Sequence, residues 1–169
     1  SGGFYFSACF HSERYFWRIG ARPVDTEFMD LNADDVIPDG FPEWPEIMNS
    51  WGEKMLSAVC AVAELAAIGF GLDRNAFVSR MERGPHLLAP TGSNLNKHST
   101  EGEILAGFHY DLNFISIHGK SRFPGLFAWT RSGKRIPVRV PDGYLLCQAG
   151  KQFEMLTGGE VIAGFHEVI

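Results

Sequence analysis

The sequence predicts a mainly β domain, a barrel or sandwich with helices packed on one side. Three observations carry that expectation. Apolar residues recur at spacings of three and four between Trp44 and Ala66, which is the period of a helix. From about Ile104 onward, short apolar runs alternate with Gly, Pro, Asp and Ser turns, which is the rhythm of many short strands. Aromatic residues make up 13% of the chain and 14 of them are Phe, as suits an apolar sheet interior or pocket.

The length of 169 residues fits one domain with a substantial core. We divide it into an arm, a linker and supporting helices over 1–84 and a β core over 85–169. A formal charge of −5 gives no electrostatic reason to expect nucleic acid or an anionic membrane surface as partner. Cys9, Cys60 and Cys147 are odd in number and far apart, which is neither a disulfide framework nor a zinc pattern. A reducing, cytoplasmic setting is therefore expected. No apolar run approaches membrane-spanning length, and the N-terminus does not read as a signal peptide. The chain starts at Ser1 without Met and stops at Ile169 directly after an apparent strand, so a longer parent protein is expected. Nothing in the pattern fixes an oligomeric state.

Taken in order, residues 4–19 mix aromatic and polar groups and read as one or two short strands or a docked arm. From Asp25 to Glu46 the chain carries eight acidic residues, no Lys or Arg, and prolines at 38, 42 and 45. That stretch reads as a solvated loop leading to a helix start. The helix follows, with Trp44, Ile47, Met48, Trp51, Met55, Val59, Val62 and Ala63 on its apolar stripe. Pro45 suits the first turn, Glu43 and Glu46 favour the positive end of the dipole, and Gly69 with Gly71 ends the run. The stripe is assigned to the core rather than to a ligand site. Asp73 then caps a short helix to about Met81, with Phe77, Val78 and Met81 turned inward.

After Pro85 the pattern changes. A short apolar run over 86–89 precedes a polar loop from Thr91 to Gly102. Strands are expected at about 104–111, 114–118, 126–131, 135–140, 144–149, 153–157 and 161–168, with Arg131-Ser132-Gly133-Lys134 as a hairpin turn. Cys147, inside an apolar run, is expected to be a buried and inert thiol.

The chemistry is expected at His109-x-Asp111. Residues i and i+2 of a strand share a face, so an imidazole and a carboxylate there can both reach one cation. His166, on another late strand, can supply a third ligand. Two His and one carboxylate on one side of a metal make the facial triad of non-haem Fe(II) oxygenases. His118 is given a structural or neighbouring role, and His11, His86 and His98 no catalytic one. Lys120 and Arg122 are candidates for pairing with a dicarboxylate, against the simpler reading of a solvated basic turn.

A longer set of residues falls in order with this pair. It comprises His109-Tyr110-Asp111, Phe114-Ile115-Ser116-Ile117, Pro124-Gly125-Leu126, Val140-Pro141-Asp142-Gly143, the stretch 145–152, Glu154-Met155-Leu156-Thr157-Gly158-Gly159 and Phe165-His166-Glu167-Val168. Together they resemble the Fe(II)- and 2-oxoglutarate-dependent dioxygenases of the isopenicillin N synthase-like group, over roughly residues 85–169. The resemblance implies a double-stranded β-helix (a jelly roll) with a long supporting helix, its β core C-terminally incomplete. It also implies iron held by His109, Asp111 and His166, with 2-oxoglutarate and dioxygen as cosubstrates. The implied reaction is hydroxylation or desaturation of a small organic molecule.

The chain departs from the family at three places. The usual Arg after the distal His is Glu167, the usual Asp after the sheet glycine is Lys151, and Leu87–Gly92 replaces an Asn-x-Tyr-Pro-Pro stretch. The Arg-x-Ser pair that holds the far carboxylate of 2-oxoglutarate in the family would fall beyond Ile169. Two other readings stay open: an oxidase of the same superfamily that needs no 2-oxoglutarate, and a non-catalytic jelly-roll binding module that retains the triad.

Overall fold

The computed structural model describes residues 11–169, so the first part of the strands or docked arm expected over residues 4–19 lies outside the described residues. In chain order the elements are β1 (Glu13–Arg14), β2 (Trp17–Arg18), a 3-10 turn at Met29–Leu31, α1 (Trp44–Gly69) and α2 (Val78–Met81). They continue with β3 (Leu87–Leu88), β4 (Thr91–Gly92), β5 (Ala106–His109), β6 (Ile115–His118), β7 (Leu126–Trp129) and β8 (Arg135–Pro137). The last three are β9 (Leu146–Ala149), α3 (Lys151–Leu156) and β10 (His166–Val168). The chain divides into two compact units, residues 14–91 and residues 11–13 with 92–169.

The first unit is organised by α1, whose 26 residues match the expected helix at both ends. Its buried face runs Met48, Gly52, Met55, Val59, Ala63 and Ala67, steps of three and four that keep one stripe inward. Ile47 and Trp51 were expected on that stripe but are about half exposed, at 57% and 51%. Each precedes a buried residue by one position, which turns it about 100° around the axis and out of the buried stripe. The C-terminus closes as a Schellman motif: Leu72 N–H donates to the Ala67 carbonyl and Gly71 N–H to that of Ile68, both at 2.9 Å. Gly71 sits at φ +69°, a conformation that any side chain would strain.

Tyr15 and Trp17 form a core with Met48 of α1, with Trp44 and Leu88 packed on it. Trp17 is only 2% exposed and donates its indole N–H to Asn49 Oδ1 at 2.9 Å. Its strand β2 pairs antiparallel with β3, so the expected docked arm and the expected short strand after Pro85 form one ladder. The acidic stretch is irregular apart from the 3-10 turn, and basic residues pin it: Arg22 to Asp35 at 2.6 Å, and Arg83 to Asp25. Asp73 caps a turn rather than a helix, accepting from Asn75 N–H at 2.8 Å, and the helical residues begin only at Val78.

The second unit is mostly sheet. Four strands form one antiparallel sheet in the order β5-β10-β7-β8, and β6 pairs antiparallel with β9. The hairpin between β7 and β8 turns where expected, with Thr130 N–H on the Lys134 carbonyl at 3.0 Å. β8 stops at Pro137, short of the expected residue 140. Proline cannot donate to a ladder, and β8 is the sheet edge, where it is tolerated.

The expected strand at 153–157 is instead part of the helix α3. Phe153 and Met155 looked like an alternating run, but the residues before them decide. Gly150, extended at ψ −179°, starts the helix from a backbone position lying so close to Asn113 that an added Cβ would stand 2.0 Å from its carbonyl oxygen. Lys151 pairs with Glu154 across one turn, and Phe153 turns into the core against Phe114.

Candidate metal centre

β5 and β10 lie side by side with His109 directly opposite His166. Directly opposed residues of an antiparallel pair present their side chains to the same face. The two imidazoles accordingly meet, with ring centroids 4.2 Å apart at an interplanar angle of 51°. On its other side His166 faces Ala128 of β7, a small residue that leaves room above the rings. The β5–β10 register slips by one residue between His166 and Val168, a local irregularity of the kind that re-aims side chains beside sites. The opposite face is locked by aromatic packing: Phe108 stacks on Phe165 at 5.0 Å and meets Trp129 edge-on at 4.7 Å.

Asp111 follows His109 by two residues, just past the end of β5, and its Oδ1 lies 3.9 Å from His109 Nε2. Ligand atoms of His109, Asp111 and His166 all fall within 4.8 Å of one another. Each ring Nδ1 lies against the backbone carbonyl two residues earlier, His109 on Gly107 at 2.7 Å and His166 on Gly164 at 2.9 Å. Those bonds make Nδ1 the protonated nitrogen and leave Nε2 with the lone pair, the tautomer a metal requires. His166 is 5% exposed, whereas the His109 and Asp111 side chains are about one-fifth exposed. The centre is thus closed from behind and open on one side.

Several neighbours hold these ligands, and sequence reasoning gave them no role. Ser116 donates its hydroxyl to Asp111 Oδ2, and Asn113 Nδ2 donates to Ser116 Oγ at 2.8 Å. With one carboxylate oxygen engaged, the other is directed to the rings. Glu154 does similar work for His166 from further off. Its Oε2 accepts the Ala163 N–H at 2.8 Å, and Ala163 stands three residues before the ligand at 1% exposure. The hydrogen bond from Lys151, with that from Ala163, holds the Glu154 carboxyl below its ordinary range. The same pairing raises the Lys151 ammonium above its own. The detectable signal was the spacing itself, a hydroxyl five residues after the Asp on the next strand.

No family model and no curated protein matches the chain. Solved structures do. A Caulobacter crescentus protein assigned to the 2OG-Fe(II) oxygenase family is 25% identical, with a TM-score of 0.76 over 93% of this chain and 51% of that one. A full-length Neurospora crassa protein crystallised with alpha-KG and 5-formyluracil is 19% identical, with a TM-score of 0.79 over 99% and 53%. JOX2, in complex with 2OG, Fe and JA, is 15% identical, with a TM-score of 0.71 over 95% and 46%. The chain has the fold of the 2OG-Fe(II) oxygenases. It spans about half the length of the solved structures it matches.

Two of the departures noted in the sequence, Glu167 and Lys151, lie next to the three clustered residues, and Lys151 donates its backbone N–H to the Asp111 carbonyl at 2.8 Å. Glu167 follows His166 and so points to the opposite sheet face. There it pairs with Arg135 at 2.6 Å, whose guanidinium lies 3.6 Å from the Phe127 ring centroid. Lys151 lies 5.5 Å from the Tyr110 ring, beside its ion pair with Glu154. His118 stands beside the centre, its ring 6.5 Å from that of His166, and its Nε2 meets Gln148 Nε2 at 2.9 Å. Lys120 is exposed and paired with Asp142, and Arg122 is exposed.

Other residues are placed elsewhere. His86 Nε2 bonds the Met81 carbonyl at 3.0 Å within the first unit. His11 and His98 gather at Glu103, and the hydrogen bond from His98 leads the interactions that hold the Glu103 carboxyl below its ordinary range. Cys147, on β9 of the two-stranded β6–β9 ladder, is exposed, not buried as expected. Among the described residues, no helix is long and apolar enough to cross a membrane.

Proposed function

We propose that this chain carries the iron centre of a non-haem Fe(II) and 2-oxoglutarate-dependent oxygenase that oxidises a small organic molecule by hydroxylation or desaturation. The observation that carries the reading is the cross-strand pair His109–His166 with Asp111 beside it, on a fold shared with 2OG-Fe(II) oxygenases. The residues fit the metal: two imidazoles oriented through Nδ1, one carboxylate with its far oxygen occupied, and an exposed side that leaves further positions open. In this reading β5-β10-β7-β8 and β6-β9 are the two sheets of a jelly roll of the isopenicillin N synthase-like kind.

His109 and His166 offer Nε2, and Asp111 offers Oδ1, each held by its own hydrogen bond, and these atoms, within 4.8 Å of one another, draw closer around a bound ion. When bound, the iron and 2-oxoglutarate supply the oxidising chemistry, coupling decarboxylation to succinate with oxidation of a substrate C–H bond. The protein keeps water from the rear of the site through buried His166 and admits substrate past His109 and Asp111. Lys120 and Arg122 are the cationic candidates for the far carboxylate of 2-oxoglutarate. The solved neighbours bind different small molecules, 5-formyluracil and JA among them, so the fold does not choose the substrate. Thiols at Cys60 and Cys147 unpaired with one another accord with a reducing, cytoplasmic setting.

The test has two stages. Fe(II) titrated anaerobically into the chain binds at one equivalent at these residues, and 2-oxoglutarate then raises a weak visible charge-transfer band. Admission of oxygen to the whole protein releases succinate. Iron binding without band or succinate would favour an oxidase that needs no 2-oxoglutarate. Absence of iron binding at these residues would favour a binding module.

A further inference from the structure

We propose that His11, His98 and Glu103 form a second divalent-metal site, of zinc type, which clips His11 to the loop that feeds β5. The site shares no residue with the first and stands whether or not the oxygenase reading does. Its three ligand atoms also lie within 4.8 Å of one another. Glu103 Oε1 is 2.7 Å from His98 Nδ1 and 3.8 Å from His11 Nε2. A tetrahedral zinc with bonds of about 2.0–2.1 Å needs its ligand atoms about 3.3 Å apart, which the two observed separations bracket.

The loop is built to present its two ligands. Lys97 and His98 both donate their N–H to the Asn94 carbonyl at 3.0 Å, and Glu103 N–H donates to that of Thr100 at 3.0 Å. The second carboxylate oxygen, Oε2, accepts the Thr100 N–H at 3.3 Å, which fixes the plane of the group much as outer partners fix metal ligands. Two neutral imidazoles and one carboxylate leave a single negative charge, suited to a dication. The rings of His11 and His98 are stacked at 4.1 Å and 22°, so coordination requires one ring to turn about χ2. That torsion is soft in histidine, and the His11 side chain is 52% exposed. The exposure also leaves the fourth position to water. Imidazole–carboxylate sets of this shape suit zinc.

The decisive experiment is equilibrium dialysis of the chain against Zn2+ with metal analysis of the retained protein. The chain carrying H109A and H166A retains one zinc, and adding H98A removes it. Co2+ in place of zinc gives the strong visible d–d bands of a four-coordinate centre in the first variant and not in the second. In the otherwise unaltered chain, H11A, an exposed change that puts folding at little risk, lowers the zinc bound by one equivalent. Failure of the H109A/H166A chain to bind zinc while its melting curve shows it folded, or binding undiminished by H98A, overturns the proposal. Should that chain not fold, an unchanged stoichiometry with H11A overturns it instead.

Discussion

His109, Asp111 and His166 offer the same donor set as His11, His98 and Glu103, yet the two trios are built on different foundations. In the first, two ligands are neighbours across a ladder, and every ligand has a hydrogen bond that points its donor atom at the others. In the second, the ligands come from an irregular loop and an exposed residue, and His98 spends its Nδ1 on Glu103 itself. A sheet fixes side-chain direction through its register. A loop fixes only proximity. The first trio therefore takes a metal by a contraction of side chains already aimed at one centre, while the second must break a hydrogen bond and unstack two rings to do so.

That contrast can be broken most directly at the ligands. H166A is expected to lower iron affinity by more than about 100-fold, beyond the range seen when outer partners are removed, and to reduce succinate release to background. Retention of tight iron binding in H166A would erase the distinction. S116A sharpens the contrast, because it removes only the bond that directs Asp111. Metal affinity should fall about 10- to 100-fold with an unchanged circular dichroism spectrum.

Glu154 comes next, since it anchors the approach to His166 through Ala163. Its carboxyl titrates lower in the folded chain than in the unfolded one, so its contribution is complete above the unfolded value. That contribution is lost as pH falls through the lower folded value. Lys151 is the converse case: its hydrogen bond to Glu154 raises the ammonium above its unfolded value, so its contribution is complete below that value and is lost as pH rises through the higher folded one. Thermal melts of E154Q should therefore lie below those of the unaltered chain near neutral pH and converge with them in acid. Parallel curves at all pH values would remove Glu154 from the account. The smallest effect is expected from G71A, which places a side chain at φ +69° and costs about 1 kcal/mol of stability in urea melts without altering metal affinity.

What could be read from the sequence was what depends on near neighbours along the chain. The α1 stripe and its Gly71 stop are local, and so is the i, i+2 placement of His109 and Asp111. The third ligand was less local. Nothing in the spacing from 111 to 166 specifies that His166 will face His109; its place on another late strand made it a candidate, and the resemblance to an oxygenase pattern supported it. The helix α3 escaped because the close approach of Gly150 to Asn113 is a tertiary constraint, and Phe153-Glu154-Met155 fits either period. Cys147 escaped because an apolar run does not reveal which of its side chains the sheet will leave exposed. Ser116 and Glu154 act through hydrogen bonds whose partners are fixed only once the strands and α3 are in place.

The proposed function requires one iron between β5 and β10. Crystals soaked anaerobically in Fe(II) and measured at the iron absorption edge test it most directly. The account predicts a single anomalous peak on the order of 2 Å from His109 Nε2, Asp111 Oδ1 and His166 Nε2 together. A peak that omits any one of the three, or none at all in crystals that hold iron elsewhere, would contradict it.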